Sequence, residues 1–206
     1  MKNINILYID DKPDEILSEY LYKRYGSKVG DYKGESYNTS YNELLFDTSK
    51  DYKNLINKEN VKSANIIIID NHLFQEHSEI SSKFSGRQFK IILRKLFPYI
   101  EVIVITQDEE LVGDKILKKF SGNDANDSTS YYDGNLAKAI DDSIKEVMEF
   151  EVLMKDLEQN EAVDKLLIDK IVNSVKGDNI YDDLSKEDID EFINMFKDLK
   201  NELEKQ

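Results

Sequence analysis

Three short apolar runs organise the hydrophobic pattern of the chain, and each stops on a polar residue. Ile4-Asn5-Ile6-Leu7-Tyr8-Ile9 runs into Asp10-Asp11, Ile66-Ile67-Ile68-Ile69 into Asp70, and Val102-Ile103-Val104-Ile105 into Thr106. Runs of this length, rich in β-branched residues, predict buried strands. Helical spacing lies between them. Ile16, Leu17, Tyr20, Leu21 and Tyr25 predict a helix after Pro13 that Gly26 would cap, and Phe89, Ile92, Leu93, Leu96 and Phe97 predict one that ends at Pro98. A second strand falls within 35–46, and Thr48 or Ser49 would cap a helix carrying Tyr52, Leu55 and Ile56. Leu111, Ile116, Leu117 and Phe120 suggest a helix over 108–120, followed by a last strand at about 129–132 and a helix from near Asn135.

Five strands alternating with helices predict a parallel sheet with helices on both faces, and right-handed crossovers leave a flavodoxin-like α/β sandwich as the economical topology. That domain would span 1–150. From 151 to 206 the pattern contains helical stripes and no strand, which predicts an all-helical C-terminal extension. In it, Val163, Leu167, Ile171 and Val175 form one stripe, and Ile189, Phe192, Ile193, Phe196, Leu199 and Leu203 another. Asp10, Asp11, Asp70 and Thr106 would then gather at the carboxyl edge of the sheet, where open α/β sheets bind ligands.

Composition removes several function classes. A formal charge of -14 argues against non-specific binding to nucleic acid phosphates. With no cysteine, disulfides, thiolate metal sites and cysteine nucleophiles are excluded. No apolar run approaches the roughly 20 residues of a membrane span, and the N-terminus lacks the features of a signal peptide. The expectation is a cytoplasmic protein without membrane or nucleic acid partners.

Adjacent carboxylates at a buried strand end repel each other unless a cation compensates them. A hard divalent ion such as Mg²⁺ takes oxygen ligands and suits Asp10, Asp11 and Asp70. A carboxylate in such a setting can attack phosphorus and become an aspartyl phosphate.

These pieces resemble the receiver domain of two-component response regulators over about residues 3–148. The resemblance lies in Ile6-Leu7-Tyr8-Ile9-Asp10-Asp11, Ile67-Ile68-Ile69-Asp70, and Ser85-Gly86-Arg87-Gln88-Phe89 leading to Val102-Ile103-Val104-Ile105-Thr106. It implies Mg²⁺ held by Asp10, Asp11, Asp70 and the His72 backbone carbonyl, with Asp70 as phosphoacceptor. Thr106 resembles the switch hydroxyl, and Tyr131 or Tyr132 the switch aromatic of the last strand. It further implies a histidine kinase or phosphotransfer protein as partner, and a non-enzymatic switch that signals through protein contacts. The signal would pass through the face built from the fourth helix, fifth strand and fifth helix. An effector protein, or a second copy in a homodimer, would engage the C-terminal helices.

Receivers also carry Lys-Pro at the end of the last strand. With that strand at 129–132, the following residues are Asp133-Gly134-Asn135, and an acid stands where a cation is wanted. The loop over 71–86 is long for an α/β unit. These departures motivate a second expectation: an adaptor that is not phosphorylated and acts through its helical tail. A phosphatase using Asp10 is a third, weakened by Lys12 where that chemistry wants a second Asp. His72 and His77 lie in polar sequence and read as solvated.

Overall fold

The computed structural model describes residues 1–47, 52–73, 85–122, 125–159 and 165–175. The capping positions Thr48 and Ser49, most of the 71–86 loop with His77, and the last stripe from Ile189 onward lie outside them. The described strands are β1 (Lys2–Asp10), β2 (Val29–Tyr32), β3 (Glu35–Leu45), β4 (Ile66–Asp70), β5 (Glu101–Thr106) and β6 (Ile116–Lys118). The helices are α1 (Glu15–Tyr25), α2 (Tyr52–Ile56), α3 (Glu59–Lys62), α4 (Gly86–Leu96), α5 (Ala125–Glu158) and α6 (Lys165–Val175).

The strands form one six-stranded sheet in the order β2-β3-β1-β4-β5-β6. All neighbours pair parallel except β2 and β3, which form an antiparallel hairpin. Gly34 turns this hairpin at φ 84°, a conformation that favours glycine. The architecture is therefore mixed α/β with a mostly parallel sheet. Leaving out edge strand β2, the five parallel strands follow the 2-1-3-4-5 order of flavodoxin-like sheets. The expected five-stranded sheet gains a sixth strand, because Tyr32 and Glu35 flank a tight turn that lets the chain pair with itself before crossing.

Alternation along each strand divides the apolar residues between two faces. Ile4, Ile6, Tyr8, Ile66, Ile68, Ile103 and Ile105 pack with α1 and the first half of α5, against Leu17, Leu21, Tyr132, Leu136 and Ile140. Leu7, Ile9, Ile67, Ile69, Val102 and Val104 pack on the other face with Leu55, Val61, Phe89 and Leu93. Both faces are covered, which is why the strands read as unbroken apolar runs.

Two stretches differ from the sequence expectation. Residues 108–120 are not a helix: a loop follows β5, and Ile116–Lys118 forms the edge strand β6. The apolar positions that mimic a helical stripe are strand and loop residues held by tertiary pairing, with Val104 N–H donating to Lys115 O and Lys119 N–H to Thr106 O. Residues 129–132 are not a strand but the early turns of α5, which begins at Ala125 rather than near Asn135. Tyr131 and Tyr132 are therefore helical.

The chain divides into compact units at Met1–Leu153 and Met154–Gln206. Within the second, α6 carries Ile168 and Val172 as buried residues. Among the described residues, no helix is long and apolar enough to cross a membrane.

Candidate functional site: a strand-end acid cluster and its lysine

β1 and β4 pair in parallel register, Ile9 against Ile69, so their terminal carboxylates emerge side by side. Asp10 and Asp70 are buried, and Asp11 is half-buried. The three offer ligand oxygens that all lie within 4.8 Å of one another. They line an open cleft of about 810 Å³ together with Lys12, Asp14, His72, Gln107, Asp108 and Lys119.

Lys119 follows β6 and reaches across the sheet edge. Its Nζ lies 2.9 Å from Asp10 Oδ2 and 2.7 Å from Asp70 Oδ1. Its side chain is only 10% exposed, so the pairing is a buried one. Burial alone would lower the ammonium's pKa, but Asp70 and Asp10 together outweigh it and hold the group above its usual value. Lys119 is charged at neutral pH.

The acids have further donors. Tyr8, two residues before Asp10 on the same strand face, donates its hydroxyl to Asp10 Oδ2 at 2.5 Å. Lys12 N–H donates to Asp10 Oδ1 at 2.9 Å. Burial, followed by the neighbouring Asp10, drives the Tyr8 phenol far above its usual range, so it remains a donor. Asp70 Oδ2 accepts from His72 N–H at 2.6 Å. Burial raises Asp11, and its hydrogen bond and charge interaction with Asp10 raise it further.

Helix starts build the walls. Asp14, not Asp10 or Asp11, caps α1, accepting from the Ile16 and Leu17 N–H groups. That leaves the acid pair free for the cleft. At α4, Ser85 and Gln88 form a reciprocal capping box. Gly86 lies so close to the end of β4 that a Cβ would meet Asp70 O at 2.3 Å and Asn71 Cα at 2.9 Å. Glycine there allows the helix start to seat against the Asp70 backbone.

The structure thus brings Asp10, Asp11 and Asp70 together. His72 lines the same cleft. Thr106 sits at the same edge but is fully buried, its hydroxyl accepting from Asp108 N–H at 3.1 Å. Gln107 and Asp108 form the cleft wall beside it. Tyr131 and Tyr132 stand on α5, not on a strand. Asp133, expected to bring negative charge to the strand end, instead pairs with Arg24 of α1 at 2.8 Å and accepts from Tyr20.

The missing lysine is a correction. Reading the last strand at 129–132 placed the expected cation at position 133, fourteen residues too late; the cation at this sheet edge is Lys119. The available signal was Ile116-Leu117-Lys118-Lys119, an apolar pair ending on lysines. Three residues of strand are too short to assert themselves against a helical reading. The Tyr8 hydroxyl was missed too, because an aromatic inside an apolar strand reads as core.

The donor set suits a hard divalent cation: the candidate ligands are carboxylate oxygens, and the half-buried Asp11 carries excess negative charge that such an ion would neutralise.

No family model matches the chain, and no curated protein does. Among solved structures, it is similar to a crystal structure of a two-component transcriptional regulator AraC from Clostridium phytofermentans ISDg. The similarity has 15% identity and a TM-score of 0.40, over 73% of this chain and 98% of that one. A likeness of that extent carries no functional weight beside the site geometry.

Proposed function

We propose that residues 1–150 act as a receiver-like switch that accepts a phosphoryl group on Asp70. The observation that carries this reading is the Lys119 ammonium bridging Asp10 and Asp70 in a solvent-open cleft. A positioned ammonium favours a phosphoryl oxyanion over a neutral ligand, and a divalent cation at the three carboxylates would offset their own charge.

In this reading, Asp70 attacks phosphorus of an incoming phosphodonor. A new O–P bond forms, and the bond from phosphorus to the donor's nitrogen or oxygen breaks, its electron pair leaving with the donor. Lys119 then exchanges its hold on the Asp70 carboxylate for the oxygens of the acyl phosphate. Thr106, which now only accepts from Asp108 N–H, turns its hydroxyl proton to a phosphoryl oxygen. Tyr8 and Lys12 N–H keep Asp10 fixed during the exchange. Asp10, Asp11 and Asp70 with the His72 carbonyl would hold Mg²⁺, which would supply charge neutralisation for the transferring group. The donor is a histidine kinase or phosphotransfer protein, and the output is a change in protein contacts rather than turnover.

Incubation with Mg²⁺ and a small phosphodonor should add one phosphate to the intact protein, located on Asp70 and lost in Asp70→Asn. A folded protein that gains no mass, and shows no spectroscopic response to beryllofluoride, overturns the reading. The adaptor alternative was motivated by an absent lysine and by the long 71–86 loop; Lys119 removes the first motive, and most of that loop lies outside the described residues. Relay through a fourth helix of the usual kind also falls away, because a loop joins β5 to β6.

A further inference from the structure

Two tyrosines of α5 hold the backbone on either side of Lys119. Tyr132 Oη accepts from Phe120 N–H at 3.1 Å, one residue after the lysine. Tyr131 Oη donates to Lys118 O at 3.3 Å, one residue before it. The rings form one cluster with Phe120, with centroids 5.6 Å from Phe120 to Tyr131 and 6.4 Å to Tyr132. Tyr132 also packs 5.2 Å from Tyr20 of α1 and is 1% exposed, whereas Tyr131 is only half-buried. Lys119 itself reaches the other way, to Asp10 and Asp70. The segment after β6 is therefore tied at one side to the acid cluster and at the other to α5.

One further observation concerns α5. Gly134 lies in the helix two residues beyond the clamp, and a Cβ built on it would meet nothing within 4 Å. No packing contact calls for glycine there, and glycine costs a helix interior about as much as any residue except proline. Asn135 beside it turns its amide back to Tyr131 O at 2.7 Å, a local bond that competes with regular helix pairing. Helix propensity is therefore low just beyond the two tyrosines, within a helix that runs unbroken over Ala125–Glu158.

We infer that Tyr131 and Tyr132 are positioning residues that fix Lys119 over the acid cluster, and that movement of Lys119 is coupled to the first turns of α5 through Lys118 and Phe120. This rests on the proposed phosphoacceptor role for its purpose, but not for its test. In that role, when Lys119 leaves Asp10 and Asp70 for a phosphoryl group, the adjoining backbone shifts and the two hydroxyls carry the shift to α5. The chain thereby has an output route that needs no helix between β5 and β6.

The test counts how often the Lys119 amine leaves its two carboxylates. The intact protein is acylated at one fixed neutral pH, and modification at Lys119 is quantified by peptide mass spectrometry against exposed lysines, with neither metal nor phosphodonor present. Tyr132→Phe keeps the ring and removes the acceptor. It should raise Lys119 modification about fivefold, the population change of one ordinary hydrogen bond. Tyr131→Phe, at the half-buried position, should give a similar increase and decides the matter if Tyr132→Phe does not fold. Tyr20→Phe, in the same ring cluster but bonded to Asp133, should leave Lys119 unchanged. An unchanged Lys119 in both clamp variants overturns the proposal, and so does an equal increase in Tyr20→Phe, which would report general loosening. Because no phosphate is involved, failure here is distinguishable from failure of Asp70 to accept phosphate.

Discussion

Lys119 Nζ stands 2.7 Å from Asp70 Oδ1, with the lysine side chain 10% and the aspartate 6% exposed. The two residues are 49 positions apart: Asp70 ends β4 and Lys119 follows β6, strands that do not pair, since β5 separates them. The ammonium compensates a pair of buried acids that would otherwise repel each other, and it sits where a phosphoryl group on Asp70 would place its charge.

Removing that cation should be costly. Lys119→Met leaves Asp10 and Asp70 buried without their partner, and breaking a buried pair costs about 3 kcal/mol. Urea denaturation in chelator should show this loss. Millimolar Mg²⁺ should restore more stability to the variant than to the wild type, because the ion meets a larger uncompensated charge. Equal stability of the two proteins in chelator would contradict the electrostatic role.

Asp11→Asn should act in the opposite direction. Burial and Asp10 raise the Asp11 carboxyl, so its charged form is disfavoured in the folded state. Replacing it with a neutral isostere should stabilise the protein in chelator, by under about 1 kcal/mol because the group is half-exposed and screened. The same variant should respond less to Mg²⁺. The two effects are read in one pair of thermal melts, with and without the ion.

Gly86→Ala tests the seat of α4. Its Cβ would lie 2.3 Å from Asp70 O, and backbone atoms cannot yield as a flexible side chain can. The expected loss is about 2 kcal/mol, in the range for forced overpacking. The Asp70 backbone should shift with it, so the variant should also accept phosphate more slowly than its residual stability explains. A stopped-flow phosphorylation rate, compared with that of an equally destabilised core variant, checks this.

The alkaline limb of stability should be set by tyrosine. Burial pushes Tyr132 up to about 12, opposed by the Phe120 N–H, and burial first of all raises Tyr20 and Tyr25 as well. A phenol whose pKa is raised by folding contributes stability that is complete below the unfolded value of 10.0 and is lost as pH rises toward the folded values. Stability should therefore be flat through neutral pH and fall above about pH 10. In a phenolate absorbance titration, Tyr20, Tyr25 and Tyr132 should ionise together with unfolding. Ionisation of these three near pH 10 without unfolding would show that their hydroxyls are not held.

Gly134→Ala should raise stability by about 1 kcal/mol, since the added methyl meets no atom and the helix gains propensity. A loss of stability in thermal melts would mean that the glycine answers a packing need.

The central strands, the acid cluster and the helix that starts at Gly86 are legible in the order of residues alone. Ile4–Ile9, Ile66–Ile69 and Val102–Ile105 are buried on both faces, so hydrophobicity alone marks them, and parallel pairing of such strands brings their terminal acids together. The place of the last strand, and with it the residue that supplies the cation, follows from the assembled sheet. β6 has three residues at the edge of the sheet, and its hydrogen bonds come from β5 and the flanking loop rather than from any local preference. Residues 129–132 have strand-like composition, yet they fold as helix because Tyr132 and the positions after it complete the apolar stripe of α5 against α1. A short edge element is specified by its neighbours, and so Lys119, which depends on that element, becomes visible only once the sheet is assembled.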